Sequence, residues 1–176
     1  MPAKSPAKAP GAPTFMDPGL MPWVLVSELY WMSDKLLDRR LYRLGVSASQ
    51  ARVLAVLYNS QEPMKISAVA TLLFQEAPSI TGILHRIELR DWVVRTPDPN
   101  DLRVAGLQLT ATGRRITMEI VAIMRELYDE LFGAVLGSAE RRRLESGLRR
   151  IRAIGFTLPE ADAKLRRAQQ YGVWTD

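Results

Sequence analysis

The polar residues of this chain that are best spaced for chemistry lie between positions 77 and 103. A helix through the first part of this segment would present one outward set of residues, namely Ser79, Gly82, His85 and Arg86. Hydroxyl, imidazole and guanidinium groups on one helical face can hydrogen-bond base edges, because an α-helix fits the major groove of DNA. The pattern fits a helix that reads DNA, and it fits equally an ordinary all-α protein, since many such proteins have two short amphipathic helices in a row.

The residue types that most enzymes need are scarce. The chain has no Cys and one His, which excludes disulfides, thiolate nucleophiles, cysteine-zinc sites and histidine pairs. It carries no phosphate-binding loop and no paired-carboxylate motif. We expect no enzyme activity, no cofactor and no metal, and a small helical enzyme is the weakest of the alternatives.

Composition indicates a globular protein with an anionic partner. The chain has 176 residues, of which 47% are hydrophobic and 24% charged, enough for one domain with extensions. The net charge is +5, and Arg supplies 19 of the 24 basic residues. The planar guanidinium of Arg pairs with two phosphate oxygens at once, which suits a nucleic-acid partner.

The first segment, MPAKSPAKAPGAPTFMDPGLMP, contains six Pro in 22 residues and has no apolar stretch of the kind found in secretory signals. It is typical of a disordered tail, here residues 1–21. The chain has no run of 18 apolar residues, so we expect no membrane-spanning helix and, by default, a cytoplasmic location.

Four helices are predicted before residue 92. The first runs from Trp23 to Leu44 and ends at Gly45, and its apolar stripe is Val26, Tyr30, Leu37, Leu41 and Leu44. Ser47 or Ser49 caps the second. Two short helices follow in EPMKISAVATLLF and EAPSITGILHRIELRDW, the latter with Pro78 in its first turn and with Ile80, Ile83, Leu84 and Ile87 facing inward.

The stretch RTPDPNDLRVAGLQLT predicts a β-hairpin, since a Pro and Asp cluster separates two short extended segments. An isolated hairpin is barely stable in water, so it must pack on the preceding helices. Two short helices followed by a hairpin form a winged helix-turn-helix. Residues 77–103 hold four Arg and four acids, so local charge adds no support for DNA binding.

Two further helices complete the prediction. A long helix begins at Thr110, runs to Val135 and is broken at Gly137 and Ser138. The next lies in SAERRRLESGLRRIRAIGF, with Leu144, Leu148 and Ile151 facing inward, and a short tail helix follows Pro159.

The motifs resemble those of the MarR family of bacterial transcription regulators, in order and at family spacing. SASQARVLAVLY resembles the family's second helix, and ISAVATLL its first helix-turn-helix helix. PSITGILHRIELRDWVVRTPDPNDLR resembles its recognition helix and wing, with a D-x-x-D-x-R tip, and LQLTATGR the opening of its long dimerisation helix. The resemblance covers residues 23–156.

The resemblance implies a mainly α fold with a small β-hairpin wing, that is, a winged helix-turn-helix on a helical dimerisation platform. It divides the chain, after the tail, into a first dimerisation helix (22–46), a DNA-binding region (47–110), dimerisation helices (111–158) and a tail helix (159–176). It also implies a homodimer that binds double-stranded DNA, with recognition helices in successive major grooves and wing tips in the flanking minor grooves.

By the same resemblance we assign a set of DNA-binding candidates: Ser49, Gln50, Arg52, Pro78, Ser79, Thr81, Gly82, His85, Arg86, Arg95, Asp101 and Arg103. Arg103 is expected to enter the minor groove. Asp101 either orients an Arg through a salt bridge or only caps the turn, and His85 is either a groove-facing donor or a solvated residue.

Three positions depart from the family pattern. Gly82 stands where a base-contacting Arg is common, Asp91 where Gly usually follows the recognition helix, and Asn100 where Arg is common in the wing. These departures bear on sequence specificity more than on DNA binding itself. The six Arg between 141 and 152 are interpreted as a solvated face with intersubunit salt bridges.

Family members often bind small aromatic or phenolic effectors between platform and winged helix. The matching ligand-pocket candidates here are Trp23, Tyr30, Trp31 and Met118, with ordinary dimer core as the alternative. The resulting hypothesis is a dimeric, sequence-specific transcription regulator, a repressor released by such an effector. The alternative is a winged-helix module that binds proteins through its Arg-rich helix and tail and has little DNA specificity.

Overall fold

The structure is a computed structural model that describes residues 18–60, 62–98, 101–163 and 166, without the side chains of 98 and 101–105. Most of the predicted tail (1–21), Pro99, Asn100 and most of the predicted tail helix (159–176) lie outside the described residues. The chain separates into two compact units, Met1–Lys35 and Leu36–Asp176.

The described secondary structure follows the predicted order. The helices are α1 (Met21–Leu41), α2 (Ala48–Tyr58), α3 (Ile66–Leu72), α4 (Ala77–Glu88), α5 (Ala111–Tyr128) and α6 (Ser138–Gly155), and the strands are β1 (Val93–Asp98) and β2 (Asp101–Leu109). A π-helical turn, Asp129–Gly133, directly follows α5. Within the described ranges, no helix is both long enough and apolar enough to span a membrane.

The smaller unit contains a 3₁₀ turn, Pro18–Leu20, and the first part of α1. The predicted apolar stripe is buried only where α1 enters the larger unit. Leu37 and Leu41 are buried there, whereas Val26 and Tyr30 are exposed. The apolar stripe is therefore only partly buried in the single chain.

The core of the larger unit is built by the helix-turn-helix. Helix α2 begins with a capping box, in which the Ser47 hydroxyl accepts from the Gln50 backbone N–H and the Gln50 amide oxygen accepts from the Ser47 N–H. The fully buried side chains of this core include Leu41, Leu54, Ile80, Leu84, Ile87, Leu107 and Ile120. The predicted inward face of α4 is confirmed, and this face fixes which side of α4 meets solvent.

The hairpin packs on this core, as its sequence requires. Leu107 of β2 pairs with Arg95 of β1 on one side and exchanges two backbone hydrogen bonds with Met64 on the other, at 3.0 and 2.8 Å. Leu107 is buried, and a Cβ on Gly106 would lie 2.5 Å from the Pro63 Cβ. The segment before α3 thus extends the two-stranded wing and holds its base.

The junction between wing and α5 is tightly packed. The Thr110 hydroxyl accepts from the Gly113 N–H at 2.9 Å and donates to the Asp91 carbonyl at 2.6 Å. A Cβ on Gly113 would lie 1.8 Å from the Trp92 carbonyl oxygen, so only Gly fits there. Asp91 adopts a φ of 54°, the left-handed conformation expected where the family has Gly.

Helix α6 buries none of its residues in the single chain. Its predicted inward residues, Leu144, Leu148 and Ile151, are 40%, 42% and 67% exposed. Their inward orientation is therefore wrong within one chain. An amphipathic helix with a wholly exposed apolar face indicates that another surface covers it.

Candidate DNA-binding surface

The outward face of α4 is available to a partner. Pro78 lies in the first turn, where its missing N–H breaks no helical hydrogen bond. The exposed candidates on this helix are Pro78, Ser79, Thr81, Gly82, His85 and Arg86. Because Ile80, Leu84 and Ile87 anchor the opposite face, these six predicted residues share one solvent-facing surface.

Three of these positions offer no free side-chain donor, and Pro78 is one of them because its ring carries none. The Thr81 hydroxyl already donates to the Ala77 carbonyl within the helix, at 2.9 Å. Gly82 has no side chain, and a Cβ built there would meet no heavy atom within 4 Å. Polar contact from α4 to a base therefore depends on Ser79, His85 and Arg86.

Arg95, predicted to contact DNA from the base of the wing, is paired within the chain. Its Nε and Nη2 donate to the two carboxylate oxygens of Glu88, at 2.6 and 3.4 Å. The pair joins β1 to the last turn of α4. A charge neutralised in this way is not presented to a phosphate while the pair lasts.

The wing candidates Asp101 and Arg103 lie on β2. Asp101 pairs with Asp98 across a register shift that follows Pro97. The side chains of Asp101 and Arg103 lie outside the described part of the structure, so the minor-groove role of Arg103 stays a prediction.

The α2 candidates differ in availability. Gln50 is 7% exposed, and its amide oxygen accepts from the Ser47 backbone N–H, so little of this side chain is free and its role as a DNA contact stays a prediction. Arg52 and Ser49 are half-buried and joined by a 3.4 Å hydrogen bond. The S-x-x-Q spacing of Ser47 and Gln50 is the capping-box signal, which could have predicted the bond between these two residues from the sequence.

Arg90 has a structural role that the sequence did not reveal. Its guanidinium lies 4.4 Å from the Trp92 ring centroid and donates to the Gly45 carbonyl at 2.7 Å. Gly45 has a φ of 62°, and a Cβ there would lie 2.8 Å from Arg90 Nη2. The contact fastens the end of the recognition helix to the end of the first helix, across 45 positions of sequence.

A long-range ion pair joins the end of α1 to the π-helical turn after α5. The Arg40 guanidinium binds Glu130 in a two-pronged arrangement, with N–O distances of 3.1 and 2.5 Å. This hydrogen bonding lowers the pKa of the Glu130 carboxyl and raises that of Arg40. Both groups are charged at neutral pH.

The ligand-pocket candidates are exposed instead of lining a cavity. Trp23, Tyr30, Trp31 and Met118 are 75%, 52%, 64% and 60% exposed. A cavity of about 650 Å³ lies instead between α2 and α5, and its lining includes Tyr58, Met124, Arg125 and Tyr128. A second, of about 510 Å³, lies between the end of α5 and α6. Among the described residues, no cluster of His and acidic side chains could hold a metal.

Parts of the chain are similar to known proteins. Residues 44–103, which span α2 through the wing tip, match the model of the MarR family. The chain is 29% identical over 101 residues to the multiple antibiotic resistance protein MarR of Escherichia coli, covering 56% of this chain and 68% of that protein.

Two solved structures share the fold. MepR of S. aureus, in complex with DNA, has a TM-score of 0.66 at 20% identity, over 73% of this chain and 94% of that one. CouR of Rhodococcus jostii RHA1, bound to p-coumaroyl-CoA, has a TM-score of 0.66 at 24% identity, over 72% of this chain and 88% of that one. The predicted fold class is confirmed, and the match over residues 44–103 supports the predicted family.

Proposed function

We propose that this chain, a member of the MarR family of winged-helix transcription regulators, represses transcription by binding near-palindromic double-stranded DNA as a homodimer. The observation that carries the proposal is the outward face of α4, which the core holds opposite Ile80, Leu84 and Ile87. A helix held in this way can enter a major groove without rearrangement.

The residues proposed to contact bases are Ser79, His85 and Arg86, all exposed on α4. Arg86 can donate two hydrogen bonds to the O6 and N7 acceptors of guanine. Arg103 on the wing is proposed to enter the neighbouring minor groove, where negative potential attracts an arginine. Ser49 and Arg52, at the start of α2, are proposed to contact the DNA backbone between the major groove and the minor groove.

The homodimer is supported by the exposed apolar face of α6. Leu144, Leu148, Ile151 and Ile154 follow one helical stripe and are all at least 40% exposed. Monomeric proteins rarely leave so continuous an apolar face in water, and a two-fold axis lets the same face cover itself. The dimer would also present two recognition helices to two half-sites.

A protein-interaction module with little DNA specificity is the rival function. Residues 77–103 contain four Arg and four acids, and this neutral balance favours the rival. One of those four Arg, Arg95, is also paired with Glu88 and so is not free to bind a phosphate. A salt titration of duplex binding separates the two. A dimer that neutralises about 6–10 phosphates should lose about 10³–10⁵ in affinity between 50 and 200 mM salt. Weak binding with a shallow salt slope would support the rival.

Sequence specificity is tested by Arg86→Ala. If Arg86 makes a bidentate base contact, the variant should lose roughly 1–3 kcal/mol on the selected site and much less on random duplex. Arg142→Ala, on the exposed surface of α6, is the matched control and should leave both affinities unchanged. Equal losses on all duplexes would assign Arg86 to a phosphate.

The effector is proposed to bind in the cavity between α2 and α5. Tyr58, Met124 and Tyr128 give it aromatic and polarisable walls, and Arg125 adds a positive charge. A small aromatic or phenolic acid fits this lining. Helix α2 forms one wall of the cavity and also contributes buried residues to the core of the DNA-binding unit. Salicylate and related aromatic acids should weaken DNA binding by the wild type. Met124→Trp, which would place an indole ring in the cavity, should weaken that effect while leaving DNA binding intact.

A further inference from the structure

We propose that Gly82 determines specificity by reading thymine: its bare backbone forms a notch on α4 that admits the 5-methyl group of one thymine in each half-site. The inference rests on the proposed function, because it requires α4 to enter the major groove. The notch is bordered by Pro78 one turn before and His85 one turn after.

The position of Gly82 on the helix supports this role. The residues that point most directly away from the buried face follow the spacing i, i+4, i+7 and i+11, and they are Pro78, Gly82, His85 and Leu89. Leu89 is 75% exposed at the C-cap. Gly82 is therefore in the middle of the ridge that would penetrate deepest into a groove.

The fold itself does not require glycine at this position. Gly82 does not have the positive φ that would demand it, since among the described glycines only Gly45 does. A Cβ at Gly82 would contact nothing within 4 Å, unlike those at Gly106 and Gly113. Glycine inside a helix is unfavourable for folding. The missing side chain of Gly82 therefore has an effect only on a molecule that approaches α4 from solvent.

The surroundings of the notch are chemically suited to a methyl group. The Pro78 ring is apolar, and the Thr81 hydroxyl is occupied by the Ala77 carbonyl. The groups able to hydrogen-bond a base, on Ser79, His85 and Arg86, lie around Gly82 rather than at it. Thymine alone among the four bases presents a methyl group in the major groove.

The test begins by selecting binding sites for the wild type from random duplexes. Each thymine of the selected half-site is then replaced by deoxyuridine, which removes only the 5-methyl group. One position per half-site should lose about fourfold in affinity, the value of one buried methyl contact. Gly82→Ala should bind the selected thymine site roughly tenfold more weakly, because an added methyl overfills the notch, and should bind thymine and uracil sites alike.

The same variant should be more stable than the wild type. Because Gly82→Ala relieves an unfavourable helical glycine in open space, its thermal midpoint should rise by about 2–4 °C. Ser146→Ala, on the exposed side of α6 away from the apolar stripe, is the control. It also replaces a weaker helix former with Ala, so it should raise the midpoint slightly and leave DNA affinity and uracil discrimination unchanged.

The outcomes distinguish the inference from the function on which it rests. If the wild type selects a consensus but no thymine responds to uracil, or if Gly82→Ala keeps the discrimination, the thymine notch is wrong and the proposed function stands. If Gly82→Ala weakens all duplexes equally, Gly82 approaches the backbone and the inference is again wrong. If the wild type selects no consensus, the sequence-specific function fails, and the inference fails with it.

Discussion

Arg95 of the wing and Glu88 of the recognition helix are joined by two hydrogen bonds, with Nε–Oε1 at 2.6 Å and Nη2–Oε2 at 3.4 Å. The pair is only partly buried, with the Arg95 side chain 44% and the Glu88 side chain 24% exposed. It therefore contributes little to stability. Its larger effect is to neutralise a cation beside the surface proposed to meet DNA.

Glu88→Gln should tighten binding to all duplexes. The change removes a carboxylate that repels phosphates and releases Arg95 to contact one, so the slope of log affinity against log salt should steepen by about one. The measurement is a salt titration with selected and random duplexes. Glu145→Gln, which breaks the comparable Arg149–Glu145 pair on α6, is the control and should change neither slope. Weaker binding by Glu88→Gln would mean that the pair acts by holding the wing in place.

Arg103→Ala should weaken DNA binding without affecting folding or dimerisation. A narrow minor groove concentrates negative potential, so the loss should be greatest on sites flanked by A-tracts. The measurement is a competition between duplexes with identical half-sites and either A-tract or G·C-rich flanks. If the variant keeps the wild-type preference for A-tract flanks, Arg103 is not the minor-groove residue. Arg95→Ala is then the next variant to compare.

Leu148→Glu should convert the dimer into a monomer. Leu148 lies on the exposed apolar stripe of α6 with Leu144 and Ile151, and burying a new carboxylate against a second copy is unfavourable. Light scattering at micromolar concentration should show half the wild-type mass, with the helical circular dichroism retained. Ser146→Glu introduces the same charge away from this stripe and should remain dimeric. A wild type that is monomeric at that concentration would contradict the proposal.

The Arg40–Glu130 pair should make stability depend on pH in the acid range. The lowered pKa of Glu130 means that the folded chain binds its proton more weakly than the unfolded chain does. The pair therefore contributes stability above the ordinary carboxyl value of 4.5, and this is lost as pH falls through the lower folded-state pKa. Urea unfolding should show Glu130→Gln less stable than wild type at pH 7, with the difference disappearing as the pH falls below 4.5 and through the lower folded-state pKa.

The Arg40→Gln variant tests whether the acid effect belongs to the pair. It should show the same loss at pH 7 and the same convergence with wild type in acid. Since the Glu130 side chain is 63% and the Arg40 side chain 30% exposed, the effect should be small. The double variant should be no less stable than either single one. A pH-independent difference would attribute the effect to helix packing.

Local sequence was sufficient to predict the elements and their order. The 3.6-residue period of Ile80, Leu84 and Ile87 fixes which side of α4 is buried, because these side chains are removed from water only on that face. The turn residues before Asp101 place the hairpin, and the left-handed conformation of Asp91 follows from its place between helix and strand. Each of these signals acts within about one helical turn or one hairpin.

The tertiary structure decided which predicted side chains are available. Gln50 and Arg95 were sensible DNA contacts by position, but one is buried in a capping box and the other is paired with Glu88 seven residues away. The Arg90–Gly45 and Arg40–Glu130 contacts join residues 45 and 90 positions apart. The apolar pattern of a sequence predicts only which residues are buried. A hydrogen-bond partner depends on which distant segments the fold brings together. The sequence by itself therefore determined the elements and the buried face of the recognition helix, and the fold decided which charges that helix and its wing can offer.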